Sequence, residues 1–150
     1  MNKIQISVLL AVLLVISGVV VTVNANCSGF PGKSEWELEV WISQEERLEN
    51  GTINLHEEVS MSGHVTDTTV NGVSIVFSDE ENGTSESLHI GTLSGYLQQN
   101  VTVNLDYTPE VVRIETTDIQ TSDETKYWIK GLERNDVGQY EQFVQEERTC

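Results

Sequence analysis

The sequence predicts an all-β domain, an Ig-like antiparallel β-sandwich of about seven strands behind an N-terminal hydrophobic helix. Three observations lead there. Apolar residues recur at every second position in run after run, and turn signals part these runs at spacings of roughly 8 to 15 residues. No helix of ordinary length interrupts them.

The clearest stretch is residues 71–93. Val73, Ile75 and Phe77 alternate with Ser74, Val76 and Ser78, which puts three apolar side chains on one face of a strand. Asp79 to Thr84 then holds the Asn82-Gly83 pair, a tight-turn signal that tolerates positive φ. Leu88, Ile90 and Leu93 resume the apolar series on the return.

Upstream, Trp36, Leu38, Val40 and Ile42 share a face, with Glu37 and Glu39 on the other, as in a half-buried strand. Trp41 falls on that acidic face, where shielding against the sheet is expected. Asn50-Gly51 marks a turn, and Ile53, Leu55, Val59 and Met61 follow at period two. Glu57 interrupts this apolar series, and a bulge near His56 to Glu58 would explain it. Downstream, Val101, Val103 and Leu105 alternate with Thr102, Asn104 and Asp106, and Pro109 can stand only at the start or edge of the run Val111 to Glu115. Residues 127–130 make a further short strand. Residues 137–144 fit either a helical face or a strand, and both readings stand.

The first 25 residues are set apart from this pattern. Lys3 precedes an uncharged run from Ile4 to Val23, long enough to reach across a bilayer and arranged as a signal peptide is. Val23-Asn24-Ala25 offers small residues for cleavage after Ala25, while Cys27 stands where a lipid-anchored protein carries its modified cysteine. Residues 1–25 are therefore a signal peptide or membrane anchor, 26–35 a linker and 36–150 the domain. Lys3 on the near side and the acidic bulk beyond place the domain outside the cell, at the membrane or secreted. In an oxidising compartment Cys27 and Cys150 can bridge, with roughly 5 kcal/mol as the chain-entropy ceiling for so long a loop. The alternative is a lipidated Cys27 and a free Cys150.

The net charge of −16, from 24 acidic and 8 basic residues among 150, is spread along the domain and describes a solvated surface. It argues against nucleic acid or anionic lipid as partners. Such a surface resembles that of halophilic archaeal cell-surface proteins, where salt screens the self-repulsion. Residues 70–119 further resemble the FxLYD-type exported β-sandwich domains. Asp79, Asn82-Gly83, Gly91-Thr92-Leu93 and the alternating Asn100-Val101-Thr102-Val103 carry the likeness, with Ile75, Phe77 and Ser78 in place of the Phe, Leu and Tyr that name the family. The resemblance implies a sandwich fold and a cell-surface setting.

No catalytic constellation is legible: there is no nucleophile elbow, no phosphate-cradling loop, and no histidine in a recognised order with a nucleophile. Neither a cofactor nor a metal is expected. His56 with Glu57 and Glu58 is the densest metal-type cluster, but two ligands on one strand face do not make a site. Asp79 with Glu81 lacks calcium-loop spacing. The tripeptides beginning at Asn50, Asn82 and Asn100 match the N-glycosylation pattern. The expected function is thus non-enzymatic: a structural or interaction module with a protein partner at the cell surface, membrane-attached through its N-terminal segment. The alternative is an ion- or solute-binding accessory domain using its acidic loops.

Overall fold

Alternating sequence becomes nine strands in the computed structural model, which describes residues 34–149. They are β1 (Glu35–Arg47), β2 (Ile53–Gly63), β3 (Thr69–Asp79), β4 (Thr84–Ser94), β5 (Leu97–Leu105), β6 (Val111–Glu115), β7 (Asp118–Gln120), β8 (Lys126–Arg134) and β9 (Tyr140–Arg148). The domain is all-β as expected, with more strands than the seven counted. Of residues 137–144, where helix and strand competed, Tyr140 onward belongs to β9, because a hairpin at Asn135–Gly138 returns the chain along β8. The N-terminal hydrophobic segment, Cys27 and Cys150 lie outside the described residues, and among the described residues no helix is long and apolar enough to cross a membrane.

All nine strands join one hydrogen-bonded sheet that curls until it is nearly a barrel. The path runs β4-β3-β6-β8-β1-β2-β5, with β7 alongside β3 and β9 alongside β8. Most pairs are antiparallel, but β1 and β8 run parallel, a departure from the wholly antiparallel arrangement expected. Their register sets Trp36 beside Tyr127, and the two rings stack with centroids 4.6 Å apart and planes 13° off parallel.

The core fills the inside of this curl. Trp36, Leu38 and Val40 of β1, Ile53, Leu55 and Val59 of β2, Val73, Ile75 and Phe77 of β3, and Val112 of β6 are buried, spaced by two along each strand except where Glu57 stands between Leu55 and Val59. Burying side chains of this size stabilises by about 1.5 to 3 kcal/mol apiece. The Asn82-Gly83 turn forms as read, with Gly83 at φ 66°. Gly63 is required for a different reason: its φ is 99°, and a Cβ there would run into the carbonyl oxygen of Glu35.

Where the sheet cannot pair its backbone, side chains do so instead. β6 meets β8 only at Val111 and Val112, leaving the Ile114 peptide groups without a strand on that side. Gln145 of β9 fills the gap: its Oε1 accepts from Ile114 N at 2.8 Å and its Nε2 donates to Ile114 O at 3.1 Å. Tyr140 donates to the Pro109 carbonyl at 2.7 Å, and Tyr107 donates to the Phe77 carbonyl at 3.0 Å, tying the β5–β6 connection to the core.

Candidate functional site

The site is the outer edge of β5, and the sequence around it explains how it comes to be open. Gly95, at φ 70°, turns the chain out of β4, and β5 then runs antiparallel to β2 from Leu97↔Met61 to Leu105↔Ile53 without a break in register. Among the described residues β5 pairs with β2 alone. Although β4 precedes it directly, β4 stands at the opposite end of the strand path. In an antiparallel ladder alternate residues direct their N–H and C=O groups away from the neighbour, so β5 offers a row of unpaired backbone groups.

Proteins ordinarily blunt such edges with charge, bulges or short length. The other edges follow that rule. β9 carries Glu141, Glu146, Glu147 and Arg148; β4 carries Glu86 and pairs with β3 through two register shifts; β7 is three residues long. β5 reads Leu-Gln-Gln-Asn-Val-Thr-Val-Asn-Leu, with no charge, glycine or proline. It is the one uncharged strand among the nine.

Its apolar side is also incompletely covered. Leu105 is fully buried, but Leu97, Val101 and Val103 are only half-buried, as are Leu88 and Ile90 on β4. On the outer, polar face a groove of about 320 Å³ opens beside the start of β5, lined by Glu58, Ser60, Ser62, Gln98 and Tyr96 with Met61 and Leu97 at its floor, and Tyr96 is 73% exposed.

Glu57 lies one strand inward. It faces the core between the fully buried Leu55 and Val59, opposite Ile42 on β1 and Val101 on β5, with no exposed surface. Neither carboxylate oxygen has a hydrogen-bond partner, and burial pushes its pKa up to about 8. The bulge expected in β2 is instead in β1, between Ile42 and Gln44, where the Ser43 hydroxyl donates to the His56 carbonyl at 2.6 Å. β2 itself keeps strict alternation, which is why Glu57 goes inside rather than out.

The remaining sequence candidates do not converge. His56 Nδ1 is 3.1 Å from Thr102 Oγ1, His89 Nδ1 is 3.3 Å from Ser74 Oγ, and His64 follows β2 at the far end. Among the described residues no group of three or more His, Cys, Asp or Glu side chains is arranged to hold a metal ion. Asp79 is buried and caps its own turn, accepting from Asn82 Nδ2 at 2.7 Å. Slight desolvation and the charges of Asp79, Glu81 and Glu80 hold the nearby Glu110 carboxyl above its ordinary value. Asn50, Asn82 and Asn100 are all exposed, the first two in turns and Asn100 in mid-β5. Trp41, expected to shield the sheet, is 42% exposed, and its indole N–H donates to Glu39 at 3.1 Å.

No protein-family model matches the chain, and neither a curated protein nor a solved structure matches it.

Proposed function

We propose that this is a non-enzymatic, exported domain held at or released from the outer face of the cell membrane, and that it works as an interaction module through the free edge of β5. One observation carries the reading: in a chain of net charge −16, the longest unguarded backbone edge among the described residues is also the one strand of those nine without a charge. Strand addition takes its affinity from main-chain hydrogen bonds and its selectivity from alternate side-chain positions, and β5 supplies both. The hydrophobic run from Ile4 to Val23 supports export, and the acidic surface supports a high-salt setting of the halophilic kind. The FxLYD-type, Ig-like sandwich belongs to the same proposal, since a curled sheet brings two facing layers onto one core.

A photo-crosslinking residue placed at Gln98 or Asn104 in the full chain, irradiated in the native envelope, tests the reading. Adducts from these positions and none from outward positions on β4 or β9 support it. Adducts spread evenly over the surface, or none from β5, contradict it.

A further inference from the structure

We propose that the occupant of the β5 edge is a second copy of this chain, with the two β5 strands paired antiparallel across a two-fold axis through Val101. This rests on the reading of β5 as the interaction edge and adds the identity of the partner. A two-fold contact places one patch against itself, so a strand can serve only if its sequence is compatible with its own reversal.

β5 meets that condition. Centred on Val101, reversal sets Leu97 against Leu105, Gln98 against Asn104, Gln99 against Val103, and Asn100 against Thr102. Residues on the inner side stay inner and those on the outer side stay outer, because the shift is even at every position. The outer row then consists wholly of amide and hydroxyl side chains facing one another. The inner row joins leucine to leucine and valine to valine, with Gln99 against Val103 as its one mixed pair. Val101 and Val103, half-buried in one copy, would gain cover from the other.

Electrostatics selects this strand over the rest of the surface. Two bodies of charge −16 repel, and most contacts between them would oppose carboxylates. β5 brings none into the contact row. The acids that border it are Asp106, just past the end of β5, and Glu58 of β2, which lies opposite Asn100 and one strand spacing back from the new seam. The association should therefore strengthen as salt screens the surrounding acids, while its own contacts, being uncharged, lose nothing.

The test uses the full chain in nonionic detergent, made in a host without N-glycosylation because Asn100 is also a glycosylation-type asparagine. Its protein mass is measured by light scattering over a concentration series. In about 1 M potassium chloride the chain should dimerise, and in about 0.01 M the dimer should weaken. Asn100→Asp with Thr102→Asp sets like charges opposite one another twice and should weaken the dimer tenfold or more. Asn100→Lys with Thr102→Lys should do the same. Asn100→Lys with Thr102→Asp sets opposite charges together and should restore it, which neither a folding defect nor association through residues 4–23 would produce. Both positions are exposed, and thermal midpoints report whether each variant folds. A monomer in high salt, a dimer that ignores the like-charge pairs, or failure of the opposite-charge pair overturns the proposal. β5 photo-adducts to a different protein, with the chain itself monomeric, would overturn self-pairing and leave the edge reading standing.

Discussion

Glu57 stands directly opposite Val101, so the strand that offers its edge to solvent rests on a strand with an unpartnered carboxyl inside the core. Nothing cationic is bonded to that carboxyl. Burial holds the Tyr140 phenol above its ordinary value against the lowering effect of Arg134, and the charges of Glu45 and Glu57 add to the rise.

The pH dependence follows from the direction of that shift. In the unfolded chain Glu57 releases its proton near the ordinary value of 4.5, whereas in the fold it keeps it up to about 8. Between those values the unfolded state binds fewer protons, so the contribution of Glu57 to stability falls as pH rises. Below 4.5 the penalty is absent; above 8 it is complete, on the order of 5 kcal/mol. Glu57→Met should remove this slope and raise the urea midpoint most at alkaline pH. Equal pH profiles for the two proteins would show that Glu57 is charged or solvated in the native state.

Gln145 tests whether a side chain truly completes the sheet beside β6. Gln145→Leu keeps the bulk but leaves the N–H and C=O of buried Ile114 without their partners. A loss of about 1 to 3 kcal/mol is expected in denaturant titrations. Gln145→Glu, which keeps an acceptor and loses the donor, should be destabilised as well.

Phe77 is fully buried near the end of β3, next to β6 through its Val112 pairing. Phe77→Ala should cost about 3 to 5 kcal/mol in thermal or chemical unfolding. Val101→Ala should cost less, because Val101 is only half-buried where Phe77 has no exposure.

Salt should raise the stability of the single domain. Among the described residues the ion pairs are few, and they include Lys126 with Glu35, Lys130 with Glu37 and Glu39, Arg134 with Glu45, and Arg148 with Asp123. Against 24 acidic residues they leave the surface dominated by repulsion. The Debye length falls from about 30 Å at 0.01 M to about 3 Å at 1 M, so denaturation midpoints should climb with potassium chloride, most steeply at the low end. A flat or falling series would mean the carboxylates are already neutralised.

Strand content was legible because period-two burial leaves a period-two trace, as in Val73, Ile75 and Phe77 or Trp36, Leu38 and Val40. Topology was not. The parallel partnership of β1 with β8 joins residues some ninety positions apart, and no local pattern encodes it. Glu57 was noticed as an interruption, yet a carboxyl in an apolar register suggests a bulge on its own strand. The partner strand absorbed the irregularity instead, between Ile42 and Gln44. The edge status of β5 depends on which strands flank it, which is a tertiary fact. Its one local signal was the missing charge over residues 97–105, visible only against the acidity of everything around it.

Amide hydrogen exchange along β5 bears most directly on the central claim. In the dilute, low-salt protein the amides of Leu97–Leu105 that point away from β2 should exchange fast, while those bonded to β2 are protected. In the native envelope, or in the associated state at high salt, the account predicts that the fast set becomes protected and that the change is confined to this strand. Unchanged exchange along β5, with new protection appearing on β4, β9 or the turns, would contradict it.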